Sequence, residues 1–140
     1  MSNKQNNNII HIFNQWITAF KAHDISKMAL LLTENVRINS ITFGNYKGKD
    51  GATKYWQELY NAFPDIKINP VTVTADHKRI MTEMEVSGTQ KGQLGGSPPF
   101  SKKFHIRGAF VYEFAENRIK EIRMYYDSGI LRRQLNILKI

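Results

Sequence analysis

The sequence predicts a single α+β domain: a cone-shaped, curved antiparallel sheet wrapped around N-terminal helices, with one internal apolar pocket. Three observations carry that expectation. Apolar residues recur at helical spacing near the start of the chain, at Ile9, Ile10, Phe13, Trp16, Ile17 and Phe20. The second half is written in long β-branched and aromatic runs, interrupted by turn residues at 76–78 and 115–117. Helices first and a meander of antiparallel strands afterwards is an α+β order, and long twisted strands curl over the helix faces.

The elements follow in turn. Residues 1–8 are Asn-rich and expected to fray, leaving 9–140 as the domain. The first helix should stop at His23-Asp24, with Asp24 or Ser26 capping a short second helix that carries Met28, Leu31 and Leu32. Residues 36–43 read as a strand and 44–48 as a loop. Asp50 is a candidate cap for a helix whose aromatic face holds Tyr55, Trp56, Leu59, Tyr60 and Phe63, stopped by Pro64-Asp65. Strands are expected over 66–75, 79–90, 104–114 and 118–127, with a Gly- and Pro-containing loop from Lys91 to Lys103. Leu131, Leu135 and Leu138 place a short helix at the end.

Bulk properties bound the function. A chain of 140 residues holds one sizeable core. There is no cysteine, which excludes disulfides, thiolate catalysis and thiolate metal sites and suits a reducing, cytoplasmic setting. No apolar run reaches the roughly 18 residues of a membrane span, and no His/Asp/Glu spacing matches a metal site. The net charge is +8, with the largest excess in 101–140, where nine Lys or Arg face four Asp or Glu. These cations are scattered rather than run together, so a basic soluble surface is expected and nucleic acid is not.

Three stretches share a pattern: Phe63-Pro64-Asp65 after the aromatic helix; Ser87-Gly88-Thr89-Gln90-Lys91-Gly92 followed by Gly96-Ser97-Pro98-Pro99-Phe100; and Arg118-Ile119-Lys120-Glu121, Tyr126-Asp127 and Leu131-Arg132-Arg133-Gln134-Leu135. In their order and spacing, from about residue 9 to residue 138, they resemble the SnoaL-like polyketide cyclase family, within the group sharing the nuclear transport factor 2 fold. The resemblance implies a cone with a deep pocket, a homodimer, and chemistry that needs neither metal nor organic cofactor. Relatives include aldol cyclases, steroid isomerases, epoxide hydrolases and dehydratases. It also implies an acid/base carboxylate near the end of the last long strand, at Asp127. Typical members carry Trp four residues before that position, where this chain has Arg123, and often His where it has Gln90.

Residue by residue, regular alternation puts Glu121, Arg123, Tyr125 and Asp127 on one face and Ile122, Met124 and Tyr126 on the other, the latter an outer apolar patch suited to a dimer. Arg123 beside Asp127 would hold it ionised, and Asp127-Ser128 can equally cap the final helix. Counting back from the 115–117 turn puts His105 near Asp127, a pair able to move a proton beside a carbonyl. Trp16, Phe20, Trp56 and Tyr60 are the expected pocket lining, with Arg123 and Tyr125 as further ligand contacts. Tyr46, Tyr125 and Tyr126 are candidate donors to a carbonyl oxygen. The Gly95-Gly96-Ser97-Pro98-Pro99 loop is not a phosphate cradle, since it lacks the P-loop Lys-Ser/Thr. Two readings stay open: an isomerase- or cyclase-like enzyme acting on a small apolar carbonyl compound through Asp127 and His105, or a non-catalytic binder or dimeric interaction module of the same fold.

Overall fold

The computed structural model of the chain describes residues 2–94 and 101–137. The elements run α1 (Ser2–Lys21), α2 (Ile25–Leu30), β1 (Leu32–Ser40), β2 (Gly44–Lys47), α3 (Gly48–Ala62), β3 (Lys67–Ala75), β4 (Arg79–Thr89), β5 (Lys103–Ala115), β6 (Arg118–Tyr125) and α4 (Ser128–Leu135). Six strands form one curved, unclosed sheet in the order β2-β1-β6-β5-β4-β3. The α+β expectation is met.

The apolar stripe of α1 is its buried face. Ile9, Phe13 and Trp16 are almost fully inaccessible, and the stripe packs with the aromatic face of α3 against the inner side of the sheet. The helix begins at Ser2 rather than at residue 9. Nothing upstream of the stripe is Gly or Pro, and Asn lowers helix propensity too little to stop it. Asp24 caps α2, accepting from the Lys27 N–H at 3.1 Å. Asp50 does not cap α3; it sits in the first turn, and Lys47 takes the cap position without a side-chain bond.

Three further details differ from the sequence reading. Residues 44–47, expected as loop, form edge strand β2, antiparallel to β1. The sheet is not purely antiparallel, because β1 pairs parallel with β6; α3 and four strands intervene, long enough for the crossover a parallel pair requires. Alternation in β3 breaks at a bulge between Pro70 and Thr72, which leaves Val71 and Val73 exposed. The 95–99 turn and Leu138 lie outside the described residues.

A bulge also decides which way β6 faces. Glu113 pairs with Glu121, yet Phe114 pairs with Ile119, so Lys120 is an extra residue. Ile119 therefore points inward together with Ile122 and Met124, all buried. This corrects the proposed outer patch: Ile122, Met124 and Tyr126 face the interior, while Glu121, Arg123 and Tyr125 lie on the outer side.

Candidate functional site

Between sheet and helices lies an apolar cavity of about 70 Å³. Trp16 and Phe20 from α1 and Tyr55 and Trp56 from α3 form one wall. Opposite them, β5 contributes Phe104, Ile106, Phe110 and Tyr112, a run of alternate residues that a strand turns to one side. The third wall is Ile122, Met124 and Tyr126. The two tryptophans stand edge to face, ring centres 4.8 Å apart, which suits the ring quadrupoles.

In β5 the inward run is interrupted by Gly108. A Cβ there would come within 2.6 Å of the Tyr125 carbonyl oxygen and 3.0 Å of Tyr126 Cβ. The missing side chain is what lets the chain leaving β6 cross close over β5 and turn Tyr126 into the cavity.

The polar atoms offered to the cavity are hydroxyl and indole groups. The Tyr55 hydroxyl meets only the Met124 sulfur, at 3.9 Å, a weak acceptor. The Trp16 indole neighbours the Tyr112 hydroxyl. Burial raises the pKa of Tyr55, and of Tyr112 against the opposing effect of the Trp16 indole. Desolvation also raises that of Tyr126, opposed by the neighbouring hydroxyls of Ser40 and Thr42. All three phenols stay protonated through the neutral range. The cavity opens outward beside Phe43, Tyr55 and Leu59, which it shares with a surface groove rimmed by Thr42, Tyr46, Glu58, Gln93 and Leu94.

Of the expected lining, Trp16, Phe20 and Trp56 are in the cavity wall. Tyr60 is not. It is buried behind Phe20, its hydroxyl donating to the Phe20 carbonyl at 2.9 Å and its ring stacked on His23. Tyr46 stands at the groove, its hydroxyl donating to the Phe43 carbonyl at 3.3 Å.

Asp127 is exposed and absent from the cavity wall. Its Oδ1 accepts from the N–H groups of Gly129 and Ile130, at 2.8 and 3.1 Å, so it is the N-cap of α4. β6 has ended at Tyr125, and the turn into α4 carries the carboxylate outward. His105 is not its neighbour. The His105 backbone is bracketed by the Gln134 side chain, at 2.7 and 3.1 Å. Gln134 is seven residues further along α4 than Asp127, about 10 Å at the helical rise. The imidazole points outward, 3.3 Å from Glu85, which also pairs with Arg107 at 2.6 Å.

Arg123 likewise does not meet Asp127. It lies across the outer face of the sheet between Glu113 and Glu121, which are register partners. Arg79 reaches Glu113 at 3.1 Å and Arg37 reaches Glu121 at 3.6 Å, completing a ladder over four strands. The Arg123 hydrogen bond outweighs desolvation and, with help from Arg79, holds the Glu113 carboxyl down at about 2. Tyr125 stands on the same outer face, 48% exposed. No cluster of three metal-ligating side chains occurs among the described residues, and none of their helices is long and apolar enough to cross a membrane.

Sequence reasoning missed Tyr55 and Tyr112 as cavity groups, and with them Phe104, Ile106 and Phe110. The signal was present in β5. The even-numbered face of β5 is the apolar one, opposite the face that carries His105.

A curved sheet folded over N-terminal helices around an aromatic cavity defines a cone of the nuclear transport factor 2 type. The chain belongs to the SnoaL-like polyketide cyclase family, whose model matches residues 10–135. Among solved structures, a candidate SnoaL-like polyketide cyclase from Jannaschia sp. CCS1 superposes with a TM-score of 0.85 at 16% identity, over 93% of this chain and 92% of that one. An LEH-like epoxide hydrolase from M. tuberculosis gives 0.76 at 14% identity, over 94% and 91%. A ketosteroid isomerase-like protein from Catenulispora acidiphila DSM 44928, in complex with trimethylamine, gives 0.76 at 12% identity, over 90% and 92%. Likenesses at these identities show the fold alone. No curated protein matches the sequence.

Proposed function

We propose that the protein binds a small, neutral, largely apolar molecule carrying a carbonyl or similar acceptor inside the cone, and acts as a binder rather than an acid–base enzyme. The observation that supports this reading is the wall. Its described residues are aromatic or aliphatic and include no Asp, Glu, His, Lys or Arg. An ionic ligand would lose its hydration there with no counter-charge, whereas an apolar one gains from burial. Tyrosine hydroxyls with weak partners favour a ligand that brings an acceptor of its own. A Catenulispora protein of the same fold is in complex with a small molecule, trimethylamine.

The cavity is smaller than the roughly 150 Å³ of an engineered apolar cavity that takes benzene. A ring-sized ligand therefore requires movement of Met124, whose thioether adapts easily, or of the half-buried Phe43 at the mouth. The cysteine-free composition keeps a cytoplasmic setting within this reading.

Cyclohexanone tests both readings. In ordinary water, saturable shifts of the two indole N–H signals, from Trp16 and Trp56, are expected; in heavy water, no exchange of the protons beside the carbonyl above the buffer rate is expected. Accelerated exchange that Asp127→Asn abolishes would overturn the binder reading in favour of catalysis. Absence of any indole shift would overturn ligand binding altogether.

A homodimer through the outer sheet face belongs to the same reading. Met81, 54% exposed, and Tyr125 lie on that face, joined through the rungs Met81–Val111 and Ala109–Tyr125. Sedimentation equilibrium should show a dimer that Met81→Asp dissociates; a monomeric wild type at high concentration would overturn it.

A further inference from the structure

The polar end of the cavity lies where β1 turns toward β2. Ser40 closes β1, and its hydroxyl oxygen accepts from the backbone N–H groups of Thr42, at 3.3 Å, and Phe43, at 3.2 Å. This is a serine turn, and it occupies both lone pairs of that oxygen. The Ser40 proton is then directed to its remaining neighbour, the Tyr126 hydroxyl at 3.3 Å. Tyr126 Oη accepts that bond, which leaves its own proton uncommitted. Thr42 Oγ1 is adjacent to Tyr126 and is buried without a hydrogen bond of normal geometry. A buried hydroxyl without a partner carries a desolvation cost that a ligand atom could relieve. Tyr126 lines the cavity and Thr42 lines the groove outside it, so the two hydroxyls flank the opening between them.

We propose that Tyr126 and Thr42 form the subsite for the ligand's oxygen, with Tyr126 as donor and Ser40 as the residue that positions it. The proposal rests on the binding reading above and makes it more specific. The ligand is a neutral ketone, aldehyde or lactone whose oxygen points back toward the mouth, its apolar body lying between Trp16, Trp56 and β5. Ser40 turns an otherwise ambivalent phenol into a donor, which favours an acceptor oxygen over a methylene of the same shape.

The test compares cyclohexanone with methylenecyclohexane, which replaces C=O by C=CH₂ at nearly constant shape, each titrated against the protein by NMR. The ketone should bind about tenfold more tightly, the worth of one recovered hydrogen bond in an apolar site. Tyr126→Phe should remove most of that preference while leaving methylenecyclohexane affinity unchanged. Thr42→Val should reduce it severalfold and, lying at the surface turn, provides a second reading if Tyr126→Phe does not fold. Equal affinities in the wild type would overturn the subsite and leave the cavity reading standing. Equal losses for both probes in Tyr126→Phe would overturn the donor role. If neither probe binds the wild type, the cavity reading itself fails, and the subsite with it.

Discussion

Asp127 illustrates how one carboxylate supports two opposed expectations. Its position near the end of the last strand suggests a base, and its position before Ser128 suggests a cap. The hydrogen bonds to Gly129 and Ile130 decide for the cap. Asn serves a helix N-cap about as well as Asp, and Ala does not. Asp127→Asn should therefore unfold within a few tenths of a kcal/mol of wild type, and Asp127→Ala about 1 kcal/mol earlier, both measured by urea denaturation. Cyclohexanone affinity should be unchanged in both variants. Gly108 makes the opposite case, a residue whose value lies in what it lacks. A methyl group at 2.6 Å from the Tyr125 carbonyl oxygen must push the chain crossing away from β5. Gly108→Ala is expected to cost about 1–3 kcal/mol, the range for overpacking, and to shift the Tyr126 ring signals in the NMR spectrum.

Among the elements, most strands and helices were legible because their periodicities are strong. The α1 stripe, the aromatic face of α3 and the β5–β6 hairpin follow from spacing and turn residues alone. What was not legible has a common cause. Strand β2, the parallel β1–β6 rung and the bulge at Lys120 are set by pairing between distant segments, which leaves no local signature. The bulge had the larger consequence, since one extra residue reverses which side chains face the cavity. It sent Arg123 outward to the Glu113–Glu121 pair and left the cavity without an ionic group. That ladder should also set the acid stability of the sheet. Glu113 titrates at about 2 in the folded chain against an ordinary 4.5, so its stabilisation is present above pH 4.5 and is lost as the pH falls from there toward 2. Glu113→Gln should flatten the stability–pH curve across that window by on the order of 1–2 kcal/mol, after allowance for solvent screening. Equilibrium unfolding at several pH values between 2 and 7 measures it.

At the scale of the whole molecule, the cavity is where the helices fail to fill the curve of the sheet. Its walls come from α1, α3, β5 and β6, elements spread across the chain, and the sequence could indicate the aromatic lining only from the helices, where spacing exposes a face. A ligand held by so many elements binds the folded chain and not the unfolded one. It should therefore stabilise the fold as a unit. At a free concentration one hundredfold above its dissociation constant, that stabilisation is about 2.7 kcal/mol. For a domain of this size it corresponds to a rise in Tm of about 5–10 °C, read by calorimetry. A ligand confined to the outer groove beside Tyr46 and Glu58 would contact fewer elements but obey the same linkage, so the shift alone does not locate it. Location is read from a cavity-blocking variant. Ile122→Phe adds bulk at a wall residue remote from Glu58 in sequence and absent from the groove. It should abolish the rise for cyclohexanone, whereas a rise that survives Ile122→Phe would place binding in the groove instead of the cone.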